Sequence, residues 1–209
     1  IKSDVVKAKK ERKKLKKAGK SLAGFSLLLG LDNTKGKSVE LEHHNVFFPN
    51  NYDAEFDQIF DQKIPVSDPT IYICAPKDDS MVKGESKEAW FVLVNAPRHD
   101  PKNGWDWSSG GEAYANQIIK RLDQLGLNVS ERLDFMKFRT PLDLENYALA
   151  PGGSIYGTSS NSAQSAFLRA SNRSKIKNLY CVGGSAHPGG GLPLVGISAD
   201  IVAEIIGKA

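Results

Sequence analysis

The 209-residue chain contains neither a G-x-G-x-x-G sequence nor a glycine loop followed by Lys-Ser or Lys-Thr. These two absences exclude the phosphate-binding loops that a sequence most readily reveals. Cysteine is scarce, because only Cys74 and Cys181 occur, each inside an apolar run and without C-x-x-C spacing. This usage favours buried thiols in a reducing compartment over a disulfide framework.

Long apolar runs are missing as well. No run approaches the roughly 18 residues that a membrane-spanning helix needs, and no signal-peptide core is visible. No Ser/His/Asp or Cys/His set has a spacing that suggests nucleophilic catalysis. Hydrophobic residues make up 40% of the chain and charged residues 25%, values that predict a globular protein, soluble or peripheral to a membrane.

The net charge of +4 conceals a strong asymmetry. Residues 2–20 hold ten basic side chains against Asp4 and Glu11, a balance of +8, so the remainder carries −4. Interleaved aromatic residues that could stack on bases are absent there, which argues against nucleic acid as a partner. Two interpretations of this basic helical segment stay open: a solvated helix face, or a patch that contacts anionic lipid headgroups.

Hydrophobic periodicity predicts a sheet flanked by helices, with a mixture of strand directions. Residues 25–31 form a nearly continuous apolar run, typical of a strand buried on both faces. Thr140 and Pro141 are typical of a helix start, as cap and first helical residue. The other predicted strands are 41–48, 71–75, 90–96 and 133–140, and the other predicted helices are 52–60 and 112–125.

The last thirty residues hold the most informative pattern: a predicted strand at 178–184, a glycine-dense turn and a predicted helix at 195–206. Backbone N–H groups at a helix start carry partial positive charge, and glycine lets an anion approach them. A tight turn without any ligand is the alternative. The candidate binding residues are Gly183, Gly184, Ser185, His187, Gly189, Gly190, Gly191, Leu192, Pro193, Leu194 and Val195.

The string GGSAHPGGGLPLVGISADIVAEI, which starts at Gly183, resembles the C-terminal signature of bacterial carotenoid desaturases of the phytoene desaturase type. These belong to the wider FAD-dependent amine oxidase-like superfamily. Further blocks occur in the same order as in that family, so the resemblance covers roughly residues 20–208. They are SLAGFSLLLGL at 21–31, HHNVFF at 43–48, DPTIY at 68–72, Thr140-Pro141, and SAFLR at 165–169 followed by Asn172-Arg173.

The resemblance implies the C-terminal part of a larger flavoenzyme, whose N-terminal dinucleotide-binding portion is not in this chain. We therefore expect an α/β fold in which a mixed substrate-domain sheet accompanies the closing strand and helix of a Rossmann-like FAD-binding domain. The expected domains are a basic segment at 1–20, a substrate-binding domain at 21–150 and an FAD-binding segment at 151–209. The isolated chain is expected to be inactive.

The activity implied by the resemblance is dehydrogenation of an apolar polyene by hydride transfer to FAD, with quinone or dioxygen as electron acceptor. The implied location is cytoplasmic and peripheral to the membrane. Gly153, Tyr156, Gly157, Phe25 and Phe47 are the expected substrate-lining residues. No general base is identified. Isomerisation, oxygenation, amine oxidation, or a non-enzymatic module that binds a membrane or a partner remain alternatives.

Several polar residues have two interpretations. His43 and His44 are adjacent, and on a strand they would face opposite sides, so no metal site is predicted. His187 either packs against the flavin or fixes the turn through a hydrogen bond. Arg169 and Arg173 either neutralise a diphosphate or pair with carboxylates. Gly184 stands where many amine oxidase-like enzymes have an acid, which the desaturase branch also lacks, and this implies a cofactor held mainly by backbone groups.

Overall fold

The computed structural model describes residues 19–78, 80, 82, 84–159 and 169–207, together with Val6, Lys9, Arg12 and Lys13. The chain divides into two compact units, one of Leu22–Gly153 and one of Ile1–Ser21 with Ser154–Ala209. Most of the predicted basic segment and the block at 165–168 lie outside the described residues.

The larger unit is an α/β assembly, which confirms the predicted fold class. Its strands are β1 (Ala23–Asp32), β2 (His44–Phe47), β3 (Ile71–Cys74), β4 (Lys87–Ala96) and β5 (Leu133–Arg139). Its helices are α1 (Tyr52–Phe56), which continues as a π-helical segment (Asp57–Gln62), α2 (Gly111–Gln124), α3 (Val129–Arg132) and α4 (Pro141–Ala148), followed by a 3₁₀ turn (Pro151–Gly153).

The five strands form one sheet in the order β2-β3-β4-β1-β5. Every pairing between them is antiparallel, so the expectation of mixed strand directions is wrong for this sheet. β1 pairs with β4 and β5, which lie far from it in the sequence, and not with β2, so hydrophobic periodicity alone could not predict its neighbours or their direction. The longest strands, β1 and β4, pair along their whole length from Ala23 opposite Ala96 to Asp32 opposite Lys87.

The core lies on one face of this sheet. Phe25, Leu27 and Leu29 of β1 are fully buried, together with Tyr114 and Ile118 of α2. The Phe25 ring contacts Tyr114 edge-on at a centroid distance of 5.0 Å. Since each such side chain gains about 1.5–3 kcal/mol on burial, the alternating residues of β1 hold α2 against the sheet.

The start of α4 follows the predicted capping pattern. The Thr140 hydroxyl accepts from the Asp143 N–H, and the Asp143 carboxylate accepts from the Thr140 N–H, while Pro141 occupies the first turn. The two side chains thereby satisfy backbone donors that the helix leaves unpaired. This part of the prediction is confirmed.

Charged side chains cluster where β1 ends. The Lys87 ammonium donates to Asp32 at 2.7 Å and to Asp134 at 2.6 Å, and Lys35 also pairs with Asp134. Hydrogen bonds from Lys87 and Thr34 hold the pKa of the Asp32 carboxyl well below its usual range. Hydrogen bonds to Asp134 and Asp32 in turn raise the pKa of Lys87.

Arg132 is fully buried beside this cluster and is densely hydrogen-bonded. Its guanidinium donates to the Asn33 side chain at 2.7 Å, to Glu88 at 3.2 Å and to the Leu127 carbonyl at 3.0 Å. It also lies 5.1 Å from the centre of the Trp90 ring. A buried cation needs such a complete set of partners, so Arg132 joins α3 to the ends of β1 and β4.

The smaller unit contains α5 (Leu192–Ile206), which begins three residues before the predicted helix. The predicted buried strand at 178–184 does not form. Tyr180 makes one bridge to Arg173, and Leu179 and Val182 are about half exposed. A strand needs at least one neighbouring strand to satisfy its backbone hydrogen bonds, and among the described residues only the single Arg173–Tyr180 bridge is present there. Among the described residues, no helix has the length and apolar character required to cross a membrane.

Candidate functional site

Two buried polar side chains, Asn172 and Ser198, connect the glycine-rich turn at 183–191 to α5. Ser198 belongs to α5 itself. The Asn172 amide nitrogen lies within 3.0 Å of the Cys181 and His187 carbonyls and 2.8 Å from the Ser198 hydroxyl oxygen. The Gly183 N–H donates to the same hydroxyl at 3.2 Å. This network fixes the start and the middle of the turn relative to the helix, and it was not predicted from the sequence.

Arg169 contributes a second support. Its guanidinium donates to the Tyr156 carbonyl at 3.2 Å and to the Gly184 carbonyl at 3.0 Å. Both of these contacts use the Nη1 atom, and the diphosphate contact expected for Arg169 stays a prediction. The guanidinium also lies against Gly189, where a Cβ would come within 3.4 Å of its Nε.

The Tyr156 ring lies against the turn and explains why residue 190 is glycine. A Cβ on Gly190 would stand 2.0 Å from the ring, whereas one on Gly184, at 3.4 Å, would be in ordinary van der Waals contact with it. Tyr156 and Gly157 both have positive φ, at 61° and 75°. Tyr156 and the glycine-rich turn, both in the smaller unit, therefore pack together through one aromatic side chain.

The outer surface of the turn is open. A Cβ on Gly183 or Gly191 would meet no atom within 4 Å, and both residues have positive φ, 115° and 97°, which favours glycine. Gly191 precedes α5 without any side-chain cap, and Leu192 is 90% exposed. The start of α5 therefore presents uncapped N–H groups and apolar side chains on the same surface.

The remaining predicted residues of the turn have distinct positions. Ser185, Pro193 and Leu194 are exposed, and Val195 is partly buried. The His187 N–H donates to the Ala170 carbonyl at 2.9 Å, while its own carbonyl accepts from Asn172. His187 thus fixes the turn through its backbone, and its exposed position leaves the ring open to a ligand.

A second candidate surface is the sheet face opposite the core, here called the open face. Leu28 of β1 is paired with Phe91 of β4 in the ladder, and the two are 45% and 37% exposed. Val46 and Phe135 are 50% and 52% exposed. These half-exposed apolar residues lie on several strands of one face, beside the exposed Lys137 opposite Leu28, and exposed apolar groups on one face commonly mark a binding site.

Gly30 shapes this open face. A Cβ at Gly30 would stand 2.3 Å from the Phe135 ring, so the ring lies directly over the glycine backbone of β1. The register of β1 with β5 also shifts between Gly30 and Leu31. Gly30, which was predicted to lie in a buried strand, therefore contacts the exposed aromatic ring of Phe135.

The expected substrate-lining residues of the larger unit, Phe25, Phe47 and Gly153, do not lie on the open face. Phe25 is fully buried between Trp107, Tyr114 and Phe138, on the core face. Phe47 is partly buried against the same core. Gly153 is buried against the Pro141 carbonyl, 2.1 Å from where its Cβ would be. Strand alternation could have identified Leu28 and Phe91. Alternate residues of a strand face opposite sides of the sheet, and each of these two residues is next in sequence to buried residues of its strand.

The histidines at the start of β2 also differ from the expected arrangement. His43 precedes β2 rather than lying on it, and its ring centroid is 4.4 Å from that of His44. The two side chains therefore do not project to opposite sides. His99 accepts from the Trp107 N–H at 3.0 Å and has a structural role.

No protein-family model matches the chain. It is 38% identical over 170 residues to a 1-hydroxycarotenoid 3,4-desaturase of Flavobacterium sp. (strain P99-3), covering 80% of this chain and 34% of that relative. It is 37% identical over 186 residues to a zeta-carotene-forming phytoene desaturase of Myxococcus xanthus, covering 87% and 35%. It is 32% identical over 202 residues to a 4,4'-diapolycopene oxygenase of Methylomonas sp, covering 94% and 39%.

These relatives form one class, proteins named for desaturation or oxygenation of carotenoids. The chain is similar to carotenoid desaturases over most of its own length, and the resemblance predicted from its ordered sequence blocks is confirmed. It spans between 34% and 39% of the length of the relatives described above.

Proposed function

We propose that this chain forms the substrate wall and the closing part of the cofactor site of an FAD-dependent carotenoid desaturase, an oxidoreductase. The observation that carries the proposal is the apolar open face of the sheet in a chain related to desaturases of carotenoids. A carotenoid substrate is a long apolar polyene, and an extended apolar surface matches it in shape and polarity.

The turn and the start of α5 fit the cofactor expected for this family. Gly183 and Gly191 leave room for a bulky ligand, and the uncapped start of α5 favours negative charge. Leu192 and Leu194 offer apolar contacts to a ring system. We assign the FAD contact to residues 183–191 with 192–195, mainly through backbone groups since Gly184 has no carboxylate. When bound, the flavin supplies hydride acceptance.

The residues of the chain contribute position and environment. Leu28, Phe91 and Phe135 would hold the polyene along the open face and exclude water from it. Tyr156 and Gly157 are proposed to lie at the substrate edge of the turn, as the family resemblance implies. No side chain of the described residues is assigned as a general base, so catalysis would depend on alignment and cofactor chemistry.

The N-terminal FAD-binding portion is the proposed partner of α5. Leu194, Ile197 and Ile205 are 38%, 47% and 36% exposed, an unusual exposure for an apolar helix. A longer polypeptide of the length of the relatives would cover this face. We accordingly propose a substrate-binding domain at 21–150 and an FAD-binding segment at 151–209.

The basic segment at 1–20 supports a peripheral location on a membrane surface. Its balance of +8 suits contact with anionic headgroups, and carotenoid substrates dissolve in bilayers. A cytoplasmic location, and quinone or dioxygen as electron acceptor, belong to the same proposal.

The test uses the complete reading frame that contains this chain, expressed in bacteria that accumulate phytoene or another acyclic carotenoid. Leu28→Asp places a charge on the open face without entering the core, and burying it beneath a polyene is costly. We expect at least about tenfold less desaturated product, which corresponds to about 1.4 kcal/mol, with unchanged bound flavin. Leu149→Asp is the matched control, because Leu149 is 86% exposed and lies outside the sheet.

Each outcome distinguishes one function from another. Longer conjugation detected by absorbance supports a desaturase, provided that Leu28→Asp reduces it and Leu149→Asp does not. Oxygen-containing products would instead favour an oxygenase, the second candidate, which the Methylomonas relative supports. Bound flavin without a carotenoid product would favour isomerase or amine oxidase chemistry. Lipid or protein binding without flavin would favour a non-enzymatic module.

A further inference from the structure

We propose that His43, His44 and Cys74 form a binding site for a zinc-type transition metal at the junction of β2 and β3. Each residue offers one ligand atom, and these three atoms all lie within 4.8 Å of one another. In a tetrahedral zinc site, neighbouring ligand atoms are about 3.4–3.7 Å apart, from bond lengths near 2.0–2.3 Å. Small side-chain rotations would bring the three groups to that spacing.

The backbone sets up this convergence. His44 and Cys74 are opposite each other in the β2–β3 ladder, so their side chains leave the sheet on the same face. His43 lies just before β2, and its carbonyl accepts from the Ala75 N–H at 2.9 Å. This bond holds the chain of His43 beside β3, and the ring of His43 meets that of His44 edge-on.

A second residue orients the site. The Nδ1 atom of His44 lies 2.8 Å from the Tyr72 hydroxyl. When Nδ1–H donates to the Tyr72 oxygen, Nε2 is left bare for a metal. Metal-binding histidines characteristically have such a hydrogen bond at the other ring nitrogen, which fixes the tautomer and the ring orientation.

The ligand chemistry identifies the class of ion. A thiol and two imidazoles favour Zn²⁺ and similar borderline metals, whereas Mg²⁺ and Ca²⁺ prefer oxygen ligands. Cys74 is a free cysteine and is partly buried, while both histidines are exposed and accessible to an ion from solvent. Three protein ligands leave a fourth position for water. The bound ion would also fasten the short edge strand β2 to β3.

The test is titration of the reduced, purified chain with Co²⁺, a spectroscopic substitute for Zn²⁺. We expect one Co²⁺ per chain, with a sulfur-to-cobalt charge-transfer band and visible bands of tetrahedral geometry, both removed by Zn²⁺. Cys74→Ser should abolish the charge-transfer band, and His43→Gln should weaken binding about tenfold or more. Cys181→Ser, which removes the other cysteine, should bind as the parent chain does.

A thermal unfolding series gives an independent readout. Zn²⁺ should raise the Tm of the parent chain and of Cys181→Ser, but not that of Cys74→Ser. Circular dichroism establishes whether each variant is folded. If Cys74→Ser does not fold, His43→Gln still decides the test, because His43 is exposed and lies outside the strand. Absence of a thiolate band, or equal binding by His43→Gln and the parent chain, would overturn the proposal.

Discussion

The substitution Asn172→Ala should loosen the glycine-rich turn while the rest of the fold persists. It removes the amide that contacts the Cys181 carbonyl, the His187 carbonyl and the Ser198 hydroxyl. The Ser198 hydroxyl keeps the Gly183 N–H as a donor, whereas the Cys181 carbonyl loses the amide of Asn172, a residue that is 4% exposed.

One buried group left without its hydrogen-bond partner costs about 1–3 kcal/mol. At about 1.4 kcal/mol per factor of ten, we expect the opening equilibrium of the turn to rise roughly 5- to 150-fold. Hydrogen exchange followed by mass spectrometry measures this as faster exchange in peptides covering residues 181–191. Peptides from β1 serve as the internal reference and should exchange as before.

Ser185→Ala is the matched control, because Ser185 lies in the same turn but is exposed. It should leave the exchange of residues 181–191 within about a factor of two, since surface substitutions usually change stability by less than about 0.5 kcal/mol. If Asn172→Ala accelerates exchange no more than Ser185→Ala does, the buried amide does not hold the turn and the reasoning is refuted.

Two predictions concern the larger unit, which contains all three tryptophans, so that tryptophan fluorescence in a urea titration monitors it. Arg132→Leu should cost about 1–3 kcal/mol, because it leaves the buried Leu127 carbonyl without its guanidinium donor. Arg139→Leu at an exposed position should cost less than about 1 kcal/mol, and similar costs for the two would contradict this account. Lys87→Met should lower the urea midpoint at pH 7, and this effect should decline progressively as the pH falls below about 4. The pKa of Asp32 is lowered in the folded state, so its contribution is present above the unfolded pKa of about 4 and is lost as the pH falls towards the folded value; an effect that does not decline with falling pH would disprove the link.

Local patterns predicted most of the elements of the larger unit. The apolar run at 25–31 became β1, and the Thr140-Pro141 signal became the start of α4. Strand direction was not readable, because periodicity reports which face is buried and not which neighbour a strand acquires. The short helix α3 was missed since its four residues are too few for a helical period.

The site was predictable where backbone conformation dictates the residue. Gly183 and Gly191 have positive φ. Because glycine is the residue that adopts positive φ most readily, its presence in the sequence indicates such a backbone conformation. Asn172 and Ser198 were not recognised, because a polar residue that is buried by tertiary contacts resembles a surface residue in the sequence. The same limit affected Phe25. Its aromatic side chain suits a substrate wall as well as a core, and only the structure shows that it is buried in the core.

The position of the Tyr156 ring over Gly190 has an evolutionary consequence. Because the ring fills the space that a side chain at 190 would need, the two positions form a single steric unit. Among relatives, a larger residue at 190 should occur only where 156 has become small. Two positions more than thirty residues apart would then change together, and engineering either one requires altering the other.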